Sequence, residues 1–305
     1  MERKRLLSEL VFAYRKRGRE VVDLFVEGGK DKLLIDRFIA ETARSQVAVY
    51  SMDSIDFSGT DFNKLGLLAP SARSEVIALR KAMHEAGVDL DGMLFLVDRD
   101  QEDLVPTPHI NGVTLTDSGA LPVHLFDNRV EGLICAMLLA GRVSVEVLKK
   151  SVVNVCSSIY AVRSAALMLR VPAKIQSPKD FLVRGDGGIY SLDVDGYLQR
   201  CLHAGKAIEH IGEMRKCVEE VLVKIDGLKV PRFVFLNDHD LWAVLRDLFH
   251  KFGDNSNKSA DDIEGAVLMT FNANELSGQA LFKGISALFS GPAEIRGESR
   301  IACSA

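Results

Sequence analysis

Apolar residues in this chain come first in short runs and later in long stripes. Val21-Val22-Asp23-Leu24-Phe25-Val26 is β-branched and aromatic and stops at Glu27-Gly28-Gly29, which predicts a strand. The following "DKLLIDRFIAETAR" sets Leu33, Leu34, Ile35 and Phe38 on one helical stripe. "QVAVYSMD" predicts a second strand. Pro70 and Ser71 open a helix with Val76, Leu79 and Met83 on one side and a stop at Gly87. "DGMLFLVDRD" is the third strand, "NGVTLTD" and "LPVHLFD" are two shorter candidates, and "NRVEGLICAMLLAG" reads as a helix. Strands alternating with helices predict an α/β fold, a parallel sheet with right-handed crossovers.

After about residue 140 the pattern changes to helix. "VSVEVLKKSVVNVCSSIYAVRSAALMLR" predicts one or two helices, and "RGDGGIYSLDVDG" a hairpin turn whose acids have the wrong spacing for a calcium loop. "DHDLWAVLRDLFHKFG" predicts a helix with Asp238 at its N-cap. Two shorter helices follow, in "DDIEGAVLMTF" and "SGQALFKGISALF". The expected division is an α/β domain over 1–140 with a basic N-terminal helix, then a mostly helical domain over 141–305 that carries dimer and partner surfaces.

Composition alters this picture little. The 305 residues are 47% hydrophobic and 26% charged, as in soluble globular proteins, and the net charge is −4. That balance does not announce a nucleic-acid binder, although "ERKRLLSEL" and "YRKRGRE" form a local basic patch. The five cysteines (Cys135, Cys156, Cys201, Cys217, Cys303) make no C-x-x-C pair and read as reduced thiols of a cytoplasmic protein. No stretch resembles a signal peptide, and "GLICAMLLAG" is too short to span a bilayer, so no membrane role is expected.

The chemistry lies where strands stop. In a parallel sheet all carboxyl ends meet at one edge, and ligands bind there. Glu27 follows the first strand, and Asp98 and Asp100 follow the third. Two acids at i and i+2 leave an extended chain on one side, about 7 Å apart at the backbone, and repel unless a cation joins them. Glu131, four residues after Asp127 on one helix face, is a fourth candidate. Such hard oxygen donors select Mg2+ or Mn2+, and two such ions could hold both the attacking and leaving oxygens of a phosphodiester. Lys30 and Arg99 flank the acids, either as contacts to substrate phosphate or as ion-pair partners of the carboxylates. Asp31 reads as a helix cap and Trp242 as a packing residue, while His239 sits between two aspartates at a helix start.

Val26-Glu27-Gly28-Gly29-Lys30-Asp31 followed by Val97-Asp98-Arg99-Asp100 resembles the TOPRIM fold of topoisomerases, primases and OLD-family nucleases. The layout is most similar to stand-alone TOPRIM-like nuclease subunits that pair with an ABC-type ATPase in bacterial anti-phage defence, the PARIS systems among them. Thr116-Asp117, Glu131 and the later "NDHDLWAVLRDLF" extend the likeness. The resemblance implies that Glu27 does acid/base or metal work and that Asp98 and Asp100 bind magnesium, with Glu131 completing a second site. It also implies an RNA target, tRNA in particular, translation arrest as the outcome, and an ATPase partner that holds the nuclease inactive, with homo-oligomers when active. The other reading is a catalytically silent TOPRIM-like adaptor for the ATPase. No Walker A motif occurs, so the chain is not itself that ATPase.

Overall fold

A computed structural model describes residues 4–16, 21–42, 47–67, 71–105, 111–126, 128–228, 232–253 and 258–289. Pro70, Asp127 and Cys303, like parts of both basic N-terminal stretches, lie outside the described residues. The chain forms two compact units, one of residues 1–97, 110–115 and 272–305, the other of residues 98–109 and 116–271. Residue 140 lies inside the second of these.

The first unit contains a short strand β1 (Arg5–Leu6), helix α1 (Leu7–Lys16), β2 (Val22–Val26), α2 (Gly29–Thr42), β3 (Val47–Ser51), β4 (Ile55–Asp56), α3 (Ala72–Glu85), β5 (Met93–Val97) and β6 (Thr114–Leu115). Four strands make one parallel sheet in the order β3-β2-β5-β6, while β1 pairs with β4. The register sets Phe25 opposite both Tyr50 and Phe95. Residues paired this way share a face, so the three rings stack across the sheet at centroid distances of 5.3 and 5.0 Å. They join one core with Leu10 and Tyr14 of α1 and Val76, Leu79 and Met83 of α3. On α2, Leu34, Ile35 and Phe38 are buried as the periodicity requires, but Leu33 is 52% exposed. At 100° per residue it falls outside the buried stripe, whose first member is instead Asp31.

The second unit is mostly helical: α4 (Asn128–Leu133), α5 (Val145–Leu169), the antiparallel hairpin β7 (Leu182–Arg184) and β8 (Tyr190–Leu192), α6 (Val194–Gly205), α7 (Ile211–Gly227), α8 (Asp238–Lys251) and α9 (Ala260–Thr270). Two further helices, α10 (Ala273–Leu276) and α11 (Ala280–Phe289), belong to the first unit, where Phe282 packs on Phe38 of α2 at 4.8 Å. "LPVHLFD" is not a strand: Leu121–Leu125 is a 3-10 turn with Pro122 in its first positions. Proline has no N–H to give a ladder and fixes φ near the helical value, which favours that turn. The cap of α8 is Asn237, not Asp238, since Asn237 is extended and its side-chain oxygen accepts from the His239 N–H at 3.1 Å.

Among the described residues α5 is the one helix long and apolar enough, by length and composition alone, to cross a membrane. In the fold it is the central helix of its unit, packed against α7, α8 and β8. A partly buried ion pair fastens it to α8: Arg163 Nε and Nη2 donate to the two oxygens of Asp240 at 2.7 and 2.8 Å. Burial works against the charged guanidinium, but its hydrogen bonds to Asp240 and that carboxylate's charge outweigh it and raise its pKa.

Candidate functional site

The strand order supplies the frame. Taken in chain order the four sheet strands lie 2-1-3-4, so the chain reverses direction across the sheet between β2 and β5. Ligand crevices in open α/β sheets form outside the carboxyl ends at such a switch point. β2 ends at Val26 and β5 at Val97, so the next residues in the chain are Glu27 and Asp98. Glu27 belongs to the first unit; Asp98, Asp100 and Glu131 belong to the second, whose limit falls on the peptide after Val97.

On the side of β2, Glu27 is half-buried and precedes the turn into α2. Gly28 occupies the N-cap position, its carbonyl accepting from the Lys32 N–H at 3.1 Å. Asp31 reaches back to accept from the Gly28 N–H at 2.9 Å, the reciprocal half of a capping box rather than the N-cap itself. Lys30 is exposed in the first turn of α2. Sequence reasoning missed Asp53. It follows β3, and its carboxylate accepts from the Gly29 N–H at 3.1 Å, so a third strand end is acidic. The signal was present in "VAVYSMD", an apolar strand stopping at an acid.

On the other side, residues 98–100 are stitched to the segment 116–121. Asp98 Oδ1 accepts from the Leu121 N–H at 2.9 Å, and the Arg99 N–H donates to Thr116 Oγ1 at 2.9 Å. The Asp100 N–H donates to the Gly119 carbonyl at 2.9 Å. Asp100 has φ +46°, a left-handed conformation that aspartate tolerates better than most residues. Two side chains hold it there. Tyr160 donates its hydroxyl to the Asp100 carbonyl at 3.1 Å, and Asn237 Nδ2 approaches Asp100 Oδ1 at 3.4 Å. Burial, with the neighbouring Asp103 and Asp100, pushes the Tyr160 phenol well above its ordinary range, so it remains a donor. Gly119 is required by packing: a Cβ there would stand 2.0 Å from the Leu236 carbonyl oxygen, one residue before Asn237.

The flanking cation Arg99 is half-buried, and Asp103 takes its Nε and Nη2 bidentately at 2.8 and 2.7 Å. Glu131 is fully buried in the first turn of α4, with Lys149 Nζ 3.4 Å from Oε1. Burial, then this carboxylate, raises the pKa of Cys135. His239 is 80% exposed beside Asp238, and Trp242 is in the core. Among the described residues no three acid, histidine or cysteine side chains are gathered as a ready ligand set. The donors themselves fit a hard divalent cation: all are carboxylate oxygens, and in Asp98 and Asp100 a hydrogen bond to one oxygen fixes the rotation of the group. A scan against protein-family models gives no match, and a search of the curated proteins gives none.

Proposed function

We propose that this chain is a TOPRIM-like, Mg2+-dependent endonuclease that cuts RNA, tRNA in particular, as the effector of an anti-phage defence pair with an ABC-type ATPase. The observation that carries the reading is that two neighbouring parallel strands at the switch point of the sheet are each followed in the chain by a carboxylate, β2 by Glu27 and β5 by Asp98. In this reading Asp98 and Asp100 hold the metal and Glu131 a second one, while Glu27 takes a proton from the attacking water or joins the ligand set. Bound Mg2+ would neutralise charge developing on the phosphodiester oxygens. Lys30 steadies the substrate phosphate, and Arg99 contributes its Nη1, which lies outside the pair with Asp103. Unrestrained RNA cleavage is toxic, which accounts for a partner that holds the effector in check.

The direct test incubates the full chain with total tRNA in magnesium or in chelator, beside Glu27→Gln. The expected outcome is defined RNA ends that require both magnesium and Glu27. Equal cleavage by Glu27→Gln would discard the assigned site. No cleavage together with intact ATPase binding would favour the silent adaptor.

A further inference from the structure

The second unit holds a hollow of about 210 Å³ with a different chemistry from the acidic strand ends. Arg142, Arg184 and Lys251 line it together with Ser144 and the backbone of Gly187 and Gly188, and the lining holds no acidic residue. From these groups we infer that the hollow is a binding site for a phosphate group.

The cations come from three separate segments, and the fold brings these exposed side chains to one hollow. Arg184 ends β7 and is paired in register with Tyr190 of β8. Tyr190 anchors the hairpin: its N–H donates to Ser151 Oγ of α5 at 2.9 Å, its hydroxyl to the Lys251 carbonyl at 3.3 Å, and its ring packs edge-on against Phe252 at 5.2 Å. Gly188 has φ +78°, and a Cβ on it would stand 3.4 Å from Arg184 Nη2, so glycine leaves room for the guanidinium. Arg142 donates from Nη1 to the Gly253 carbonyl at 2.6 Å, which fixes its position and leaves its other N–H groups for a ligand. Among the described residues no ion pair involves Arg184 or Lys251. Three cations around one hollow without a carboxylate set up a positive potential that an anion relieves. The 25-residue helix α5 starts at the same place, with Ser144 capping the Val147 N–H at 3.3 Å, and its first turn adds N–H donors of the same sign. Planar guanidinium donors and an ammonium suit the oxygens of a phosphate.

The phosphate has two sources, a free phosphorylated small molecule or the backbone of a nucleic acid. Titration calorimetry of the full chain, in chelator to prevent cleavage, distinguishes them with inorganic phosphate and a short single-stranded RNA as probes. Arg184→Ala/Lys251→Ala should weaken phosphate binding about tenfold or more, whereas Lys216→Ala/Lys224→Ala on the exposed side of α7 should leave it unchanged. Parallel loss of RNA affinity would assign the site to nucleic acid, and loss confined to inorganic phosphate would assign it to a free metabolite. Unchanged melting temperatures in both variants check the fold. Absence of phosphate binding by the wild type, or equal loss in the two variants, overturns the inference. Because no acidic strand end takes part, this result is independent of whether Glu27 supports cleavage.

Discussion

Asp100 is held by three separate restraints. Its N–H, carbonyl and carboxylate are each held by a different part of the second unit, and its φ is positive. Left-handed backbone costs an L residue about 1–2 kcal/mol, so the surrounding bonds maintain a conformation the residue alone would leave. Asn237 is the most exposed to test, because one carboxamide does two jobs. Its Oδ1 caps α8 and its Nδ2 faces Asp100. Asn237→Ala should cost about 1 kcal/mol through the lost cap alone. Denaturant melts of Asn237→Ala, Asp100→Ala and the double variant give the remainder. A coupling of about 0.5 kcal/mol or more is expected, and strict additivity would mean the 3.4 Å approach contributes nothing. In the sequence, Asp98-x-Asp100 stands out because two acids follow an apolar run. Tyr160 and Asn237 do not stand out, because they lie 60 and 137 positions away and nothing local marks them.

At the scale of elements, local patterns carried what one segment decides by itself. The strands ending at Val26, Ser51 and Val97 were legible from β-branched runs, and α3 from its stripe and its opening Ser71, which accepts from the Ser74 N–H at 3.1 Å. Errors came where a neighbour decides. Leu33 has the spacing of a core residue only if the stripe is drawn one position early, and "LPVHLFD" alternates like a strand but has Pro122 where a ladder would need an N–H. How α5 meets α8 was wholly illegible, since Arg163 and Asp240 are 77 positions apart. Their pair gives a clear expectation. Arg163→Met leaves Asp240, 7% exposed, as a buried carboxylate without its bidentate donor, and should cost about 3–5 kcal/mol. Adding Asp240→Leu should recover most of that loss, because a well-packed apolar pair of similar volume is often as stable as the ions it replaces. Chemical denaturation of the three variants measures both steps. A double variant no better than the single one would show that the pair does more than cancel its own burial cost.

For the whole molecule, the proposed metal at the acidic strand ends would tie stability to the cation. A cation that binds only the folded arrangement raises the melting temperature, by an amount that grows with its concentration over the dissociation constant. Carboxylates bind metal only when deprotonated, so protons compete for the same oxygens. Magnesium should therefore stabilise the chain near neutral pH and do so less near pH 5, with a chelator abolishing the difference. Asp98→Asn separates a metal ligand from a structural acid. An asparagine oxygen can still accept from the Leu121 N–H, so the hydrogen bond seen at 2.9 Å survives the change. If Asp98 is a ligand, the variant should melt within a degree or two of wild type in chelator, since a preserved hydrogen bond costs little, and should lose most of the magnesium response. If Asp98 serves instead as one half of a buried ion pair, the substitution should destabilise the metal-free protein by up to about 3–5 kcal/mol, and magnesium should make no difference to either form. Melting curves of both proteins, with magnesium and with chelator at two pH values, decide between them without any measurement of cleavage. A metal-insensitive wild type beside a destabilised Asp98→Asn would leave the strand ends as structural groups and remove the basis for a catalytic metal.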